Sequence, residues 1–206
     1  MNKNLQLYEK YFVQNQSVRP GLFRAIKERY SCTSAVYPGS FIHVTPSLIF
    51  QNTAYIDSDR RVQKFFDDPE ILKWVESNKE YEAEPIILGF QQNYTKKLPE
   101  DIGEFDLLIS QYAGFVSQDC KKYLKKNGIL LVNNSHADAG LAFLDIDYEL
   151  IAVVNHSNNQ WTIKETGLDE YFIPKKGSHP PKASLLKTMR GIGYTKTASN
   201  YVFRKI

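Results

Sequence analysis

The sequence predicts an α/β protein with a mostly parallel sheet covered by helices on both faces, and three observations carry the prediction. Short, continuously apolar runs recur along the chain, among them Ile86-Ile87-Leu88, Leu107-Leu108-Ile109 and Ile129-Leu130-Leu131-Val132. Segments with helical spacing of their apolar residues separate these runs. Turn and capping residues stand at most of the junctions. Strands that are apolar throughout, rather than alternating, belong to sheets buried on both faces. A length of 206 residues suits one such domain with a full core. Residues 1–206 therefore read as a single domain, with N-terminal helices over about 3–30 and a C-terminal loop, helix and strand extension over about 156–206.

Each element follows from its residues. Leu5, Tyr8 and Phe12 share one face of a first helix. A second begins at Arg19-Pro20-Gly21, where Pro20 suits a first helical position, and carries Phe23, Ile26 and Tyr30 on one side. Ser34–Tyr37 is the first strand, stopped by Pro38-Gly39, and Asn52–Ile56 the second, ending at Asp57. Asp57 or Asp59 caps the next helix, Arg60–Phe66. Asp68-Pro69-Glu70 starts another, running through Ile71, Trp74 and Val75. Pro85–Phe90 and Phe105–Ser110 are the third and fourth strands. Ser117 caps a helix expected to run to Lys126, with Gly128 of Asn127-Gly128 as its left-handed C-cap. Ile129–Asn133 is the fifth strand, Asp138–Leu144 a short helix and Tyr148–Val154 the sixth strand. Trp161–Thr166 is a strand candidate, Ala183–Arg190 a helix and Asn200–Lys205 a closing strand. A Pro- and Gly-rich loop, Ile173–Pro181, lies between them and reads either as a lid or as a static wrap.

Charge and cysteine content narrow the function classes. A net charge of +3 with dispersed basic residues is a poor case for nucleic acid. The late basic residues, Lys175, Lys176, Lys182, Lys187, Arg190, Lys196, Arg204 and Lys205, keep that partner open but read first as solvated surface. The N-terminus has no apolar signal segment, and no window is long and apolar enough to span a bilayer, so no membrane partner is expected. Cys32 and Cys120 stand alone, and His43, His156 and His179 are scattered, so no metal is expected and a reducing, cytoplasmic setting fits. Dinucleotide (Gly-x-Gly-x-x-Gly), P-loop and nucleophile-elbow motifs are all absent from the sequence.

In an open parallel sheet, ligands bind beyond the carboxyl ends of the strands. The candidate site is therefore the set of strand-end residues: Tyr37, Pro38, Gly39 and Ser40; Asp57 and Ser58; Asn93 and Tyr94; Ser110 and Gln111. Gly39 lets backbone approach a ligand without a Cβ in the way. Asp57, 57 − 39 = 18 residues later, stands where a carboxylate accepts from both ribose hydroxyls. The plainer readings are an ordinary turn at Gly39 and a helix cap at Asp57. His136 is the titratable candidate for a general base, with Tyr112 next, and Asp138 reads as a helix cap.

The order of elements resembles the class I S-adenosylmethionine-dependent methyltransferases over roughly residues 17–155 and the final strand. Val36-Tyr37-Pro38-Gly39-Ser40 stands at that family's glycine motif and Tyr55-Ile56-Asp57-Ser58-Asp59 at its acidic second-strand end. Phe105-Asp106-Leu107-Leu108-Ile109-Ser110 is similar to its fourth strand and Tyr123–Val132 to its fifth. The resemblance implies a three-layer Rossmann-like sandwich, with a seven-stranded, mostly parallel sheet whose last strand is antiparallel. It implies S-adenosylmethionine as cofactor, with Gly39 near the methionine part, Asp57 on the ribose, and Asn93 and Tyr94 bordering the adenine. The sequence departs from the family in having one glycine where two or three are usual, and Ser110-Gln111-Tyr112-Ala113 is no base-methylating motif. It reads as an outlying branch acting on an unidentified acceptor, with a small molecule favoured. The alternative is a non-catalytic module that keeps the fold without transfer activity. The sequence sets no oligomeric state.

Overall fold

The computed structural model describes residues 2–99 and 102–206. The chain divides into two compact units, Met1–Leu98 and Pro99–Ile206.

In the first unit, helix α1 (Lys3–Tyr8) runs into a π-helical turn (Glu9–Val13), followed by α2 (Pro20–Tyr30) and β1 (Ser34–Pro38). A 3-10 turn (Thr45–Leu48) leads to β2 (Asn52–Asp57), then α3 (Val62–Phe66), α4 (Pro69–Asn78) and β3 (Ile86–Gln91). The strands lie in the order β3-β2-β1 and pair in parallel, Ser34 opposite Asn52 and Asn52 opposite Ile86. Pro20 opens α2, and Ser31, in the left-handed conformation, ends it. Asp68 caps α4 by accepting from the Glu70 N–H, and its other oxygen accepts from Asn2 and Asn4, which ties α1 to α4. Burial follows the helical spacing: Phe23 and Ile26 of α2 and Phe65 and Phe66 of α3 lie in the core, where Tyr55 stacks on Phe66 at 4.0 Å. Gly89 makes this packing fit, because a Cβ there would sit 2.6 Å from the Phe66 Cβ.

β3 departs from expectation. Its run of apolar residues predicts burial on both faces, yet Ile86 is 48% and Leu88 37% exposed. Side chains alternate along a strand. Gly89 faces α3, so Ile86 and Leu88 point to the opposite face.

In the second unit, β4 (Phe105–Ser110) is followed by a one-turn helix α5 (Val116–Asp119), a 3-10 turn (Lys121–Tyr123) and β5 (Leu124–Val132). A 3-10 turn (Ser135–Ala137), α6 (Asp138–Phe143), β6 (Tyr148–Ser157), β7 (Gln160–Lys164), α7 (Lys182–Thr188) and β8 (Asn200–Lys205) complete it. The order is β4-β5-β8-β6-β7: β4 and β5 are parallel, and β8 is antiparallel to both β5 and β6. The strand candidate near Trp161 is β7, hairpinned to β6 through Asn158-Asn159, both left-handed as a type I′ turn requires. Among the described residues the strands number eight, one more than the seven that the resemblance implies.

The helix expected from Ser117 to Lys126 is a correction. Only Val116–Asp119 is α-helical, and Leu124 already pairs with Phe105 as part of β5. Asn127-Gly128 is then not a helix cap but a bulge, where the register jumps between the Phe105–Leu124 and Leu107–Ile129 pairs. Asn127, not Gly128, is the left-handed residue. Gly128 is required for closeness instead, since a Cβ there would meet Leu124 Cδ1 at 2.7 Å and the Lys125 carbonyl at 2.8 Å.

Candidate functional site at the strand ends

The site residues of the first unit come together around Asp57. Gly39 turns the chain after β1 with φ +67° and donates its N–H to the Ile56 carbonyl at 2.7 Å. Two residues on, the Phe41 N–H donates to Asp57 Oδ2 at 2.8 Å, and the Asp59 N–H donates to Asp57 Oδ1 at 2.9 Å. The Gln92 N–H donates to the Asp57 backbone carbonyl, which brings the end of β3, and with it Asn93 and Tyr94, to the same edge. Asp57 is half-buried and Ser58 exposed. Each Asp57 oxygen has one hydrogen bond and retains a second acceptor position, so both oxygens can still receive a ribose hydroxyl.

The other residues of this edge face inward. Tyr37 is buried with its hydroxyl 3.3 Å from His43 Nδ1, Pro38 is buried, and Ser40 donates to the Phe41 carbonyl. His43 Nε2 lies 3.1 Å from the Val18 carbonyl. That pair fixes the neutral tautomer, with Nε2 donating to Val18 and Nδ1 accepting from Tyr37. Burial pushes the His43 pKa down to about 3. Asn93 is exposed and caps its own turn by accepting from the Thr95 N–H.

Three side chains that the sequence does not mark as part of a site, Tyr11, Phe12 and Arg61, cover this loop. Phe12, from the π-helical turn, stacks on His43 at 4.4 Å, and Tyr11 meets the Phe41 ring edge-on at 5.1 Å. The Arg61 guanidinium lies 4.4 Å from the centre of the Phe41 ring and pairs with Asp59, holding that carboxyl down at about 2. No local signal marks these contacts, because they join segments far apart in sequence.

In the second unit, the ends of β4 and β5 hold a buried polar network. Ser110 Oγ donates to Asp138 Oδ2 at 2.5 Å, and Ser117 donates to the same carboxylate through Oγ at 2.6 Å and through its N–H. Gln111 Nε2 donates to Asn200 Oδ1 at 2.8 Å, and Asn133 Nδ2 donates to Gln111 Oε1 at 3.3 Å. Ser110 and Gln111 are thus engaged with protein partners. Asp138 caps α5, a different helix from the one it begins. Burial raises its pKa to about 6, against the lowering effect of its serine partners.

His136 and Tyr112 are the exposed members of this edge. His136 has φ +54° and Tyr112 φ +61°, and Ala137 beside His136 has φ +68°. Left-handed backbone at residues with a Cβ is strained and collects at functional sites. One buried side chain supports both loops: Asn133 Oδ1 accepts from the Ser135 N–H at 3.1 Å and from the Tyr112 N–H at 3.4 Å. His136 Nδ1 lies 2.9 Å from Ser135 Oγ, which leaves Nε2 turned away from that contact.

Two grooves, of about 720 and 480 Å³, lie on the first unit at the other edge of its strands, lined by Glu84 and Pro85 before β3 and by Cys32 and Thr33 before β1. No group of His, Cys, Asp and Glu residues able to hold a metal occurs among the described residues.

No family model and no curated protein matches the sequence. Solved structures do match. The O-methyltransferase TomG from Streptomyces achromogenes, involved in tomaymycin synthesis and solved with S-adenosylmethionine, superposes with a TM-score of 0.50 at 7% identity, covering 79% of this chain and 87% of that one. This chain has the class I methyltransferase fold. An O-methyltransferase from Bacillus cereus, solved with S-adenosylhomocysteine, matches at TM-score 0.47 and 7% identity over 79% of this chain and 89% of that one. A methyltransferase of Methanococcus maripaludis, assigned as S-adenosylmethionine-dependent, matches at 0.43 and 17% over 64% and 61%. The Gly39 turn follows β1, and Asp57 is the last residue of β2.

Proposed function

We propose that the protein is an S-adenosylmethionine-dependent methyltransferase acting on a small-molecule acceptor. The observation that carries the reading is Asp57: a half-buried carboxylate at the end of β2, beside the Gly39 turn, with one acceptor position left on each oxygen. Asp57 would hold the ribose, Gly39 would pass the methionine part, and Asn93 and Tyr94 would border the adenine. The cofactor supplies a methyl group on a sulfonium sulfur, and alignment of the acceptor is most of what the protein must add. If the acceptor needs a general base, His136 Nε2 is the candidate to take the proton of its hydroxyl, with the Tyr112 hydroxyl as second candidate. The small-molecule acceptor is favoured by the O-methyltransferases among the structures that share the fold.

The test is binding of S-adenosylmethionine and S-adenosylhomocysteine, followed by thermal unfolding, with ATP and NAD as controls. Ligand at about 100 times its dissociation constant adds about 2.7 kcal/mol, which raises the midpoint by roughly 5–10 °C. Asp57→Ala should abolish the shift. Asp57→Asn, which keeps one acceptor oxygen to support the loop, should weaken it. A folded Asp57→Asn protein with unchanged affinity overturns the assignment.

A second reading, a binding module without transfer activity, has its own observation. Asp57 already accepts from Phe41 and Asp59, and only a 3-10 turn lies between β1 and β2. No α-helix there aims its N-terminus at an anionic group. Tight retention of the cofactor, with no turnover on any acceptor and no effect of His136→Ala, would favour this reading.

A further inference from the structure

The strongest charge asymmetry in the chain lies outside the site described above. Residues 173–199 carry six cations, Lys175, Lys176, Lys182, Lys187, Arg190 and Lys196, and no Asp or Glu. The whole chain has 26 Lys and Arg against 23 Asp and Glu, so the remainder holds 26 − 6 = 20 against 23, a net of −3. The segment is built onto the second unit rather than trailing from it. Ile173–Lys175 pairs with Gly193–Thr195 through two backbone hydrogen bonds of 2.9 Å. Leu185 of α7 is buried against Ala137 and Leu141. The acids that reach it are already matched: Lys182 lies 3.5 Å from Asp145, which Lys121 also holds, and Lys196 pairs with Glu170. Lys175, Lys176, Lys187 and Arg190 have no acidic partner among the described residues.

Apolar side chains stand exposed between these cations. Ile173 is 48%, Leu186 40% and Met189 45% exposed. Leu186 lies in the last turn of α7 and Met189 is the left-handed residue that ends the helix. Phe143, stacked on Phe172 next to Ile173, is also exposed, and so is Ile146, next to the Asp145 that holds Lys182.

We propose that this face of the second unit attaches to an anionic phospholipid surface. Cations without acids, interleaved with exposed aliphatic side chains, suit both the headgroup charge and the shallow apolar boundary of a bilayer. Single-stranded nucleic acid would want aromatic platforms for its bases, whereas the exposed apolar side chains within the segment, Ile173, Leu186 and Met189, carry no ring. No helix among the described residues is long and apolar enough to cross a membrane, so the attachment is to the surface. The absence of a membrane-length apolar run, on which the expectation of no membrane partner rests, does not bear on surface binding. The proposal is independent of the methyl-transfer reading, and its test reads no activity.

The experiment is co-sedimentation of the full chain with phosphatidylcholine vesicles, with and without phosphatidylserine, at low and high ionic strength. Binding is expected only with phosphatidylserine, and salt should weaken it. Each cation near the surface contributes about fivefold, so replacing Lys175, Lys176, Lys187 and Arg190 with Gln should lower the partition coefficient several hundredfold. Leu186→Ser with Met189→Ser should weaken binding with charge unchanged, while circular dichroism reports an intact fold. Equal partition onto both vesicles, or no partition onto either, overturns the proposal. So does a loss in the four-site variant with none in the Leu186/Met189 variant, accompanied by retention of single-stranded RNA, which would assign the cations to nucleic acid.

Discussion

Asp138 should make the protein less stable as pH rises from about 4 to about 6, and an Asn at that position should remove the effect. The carboxyl group is 1% exposed and receives hydrogen bonds from Ser110 Oγ, Ser117 Oγ and the Ser117 N–H. Burial outweighs those bonds and lifts the pKa from 3.8 to about 6. Between these values the unfolded chain has lost the proton and the native state still binds it, so the free energy of unfolding falls with pH across the window and is flat above it. A shift of about two pH units corresponds to about 3 kcal/mol, or roughly 6–12 °C in the unfolding midpoint for a chain of this size. In Asp138→Asn the amide oxygen can still accept from the Ser117 N–H, and the serine hydroxyls can turn to accept from the new amide NH2. The variant is neutral at every pH. Urea unfolding of both proteins from pH 4 to pH 7 isolates the carboxyl, because every other titrating group cancels in the difference. The wild type should lose about 3 kcal/mol relative to the variant over that range. A difference that stays constant with pH would refute the argument that burial dominates at this carboxyl. Asp138→Ala, by contrast, strands the Ser117 N–H and leaves a void, and should cost about 3 kcal/mol or more at every pH.

His43 titrates in the opposite sense. Its pKa is lowered from 6.5 to about 3, so the stability that its neutral form carries is complete above about pH 6.5 and is lost as pH falls toward 3, by about 1.4 kcal/mol per pH unit. Unfolding midpoints of His43→Gln between pH 4 and 7 should lack this slope, and an identical slope in both proteins would place the acid sensitivity elsewhere. Gly89→Ala should destabilise by about 1–3 kcal/mol, because the new Cβ lies 2.6 Å from Phe66 Cβ in a packed core. Gly177→Ala, with φ +65° and nothing within 4 Å, should cost only about 1 kcal/mol of backbone strain. Denaturation midpoints of the two variants side by side separate overpacking from strain.

What could be read from the sequence divides by the range of the interaction. Pro20 opening α2 and Asp68 capping α4 are settled within a few residues, and local chemistry specifies them. The strands from Asn52, Phe105 and Asn200 follow from apolar runs bounded by turns. The failures need partners distant in sequence. Lys125 and Lys126 read as the end of a helix stopped by Asn127-Gly128, but pairing with β4 draws them into β5. Ser117 and Asp138 each look like the cap of their own helix, yet they cap jointly across 21 residues of chain. Gln111 is joined to Asn200 across 89 residues.

The same distinction governs the candidate site. A polar residue at the end of a strand either faces a ligand or closes a network, and its type does not decide which. Asp57 ends β2 in the first unit, and Asp138 begins α6 after β5 in the second. Asp57 is half-buried with acceptor positions to spare, while Asp138 is sealed against two serines. Unspent hydrogen-bonding capacity next to solvent separates the two, and by that criterion Asp57 is the residue to test first.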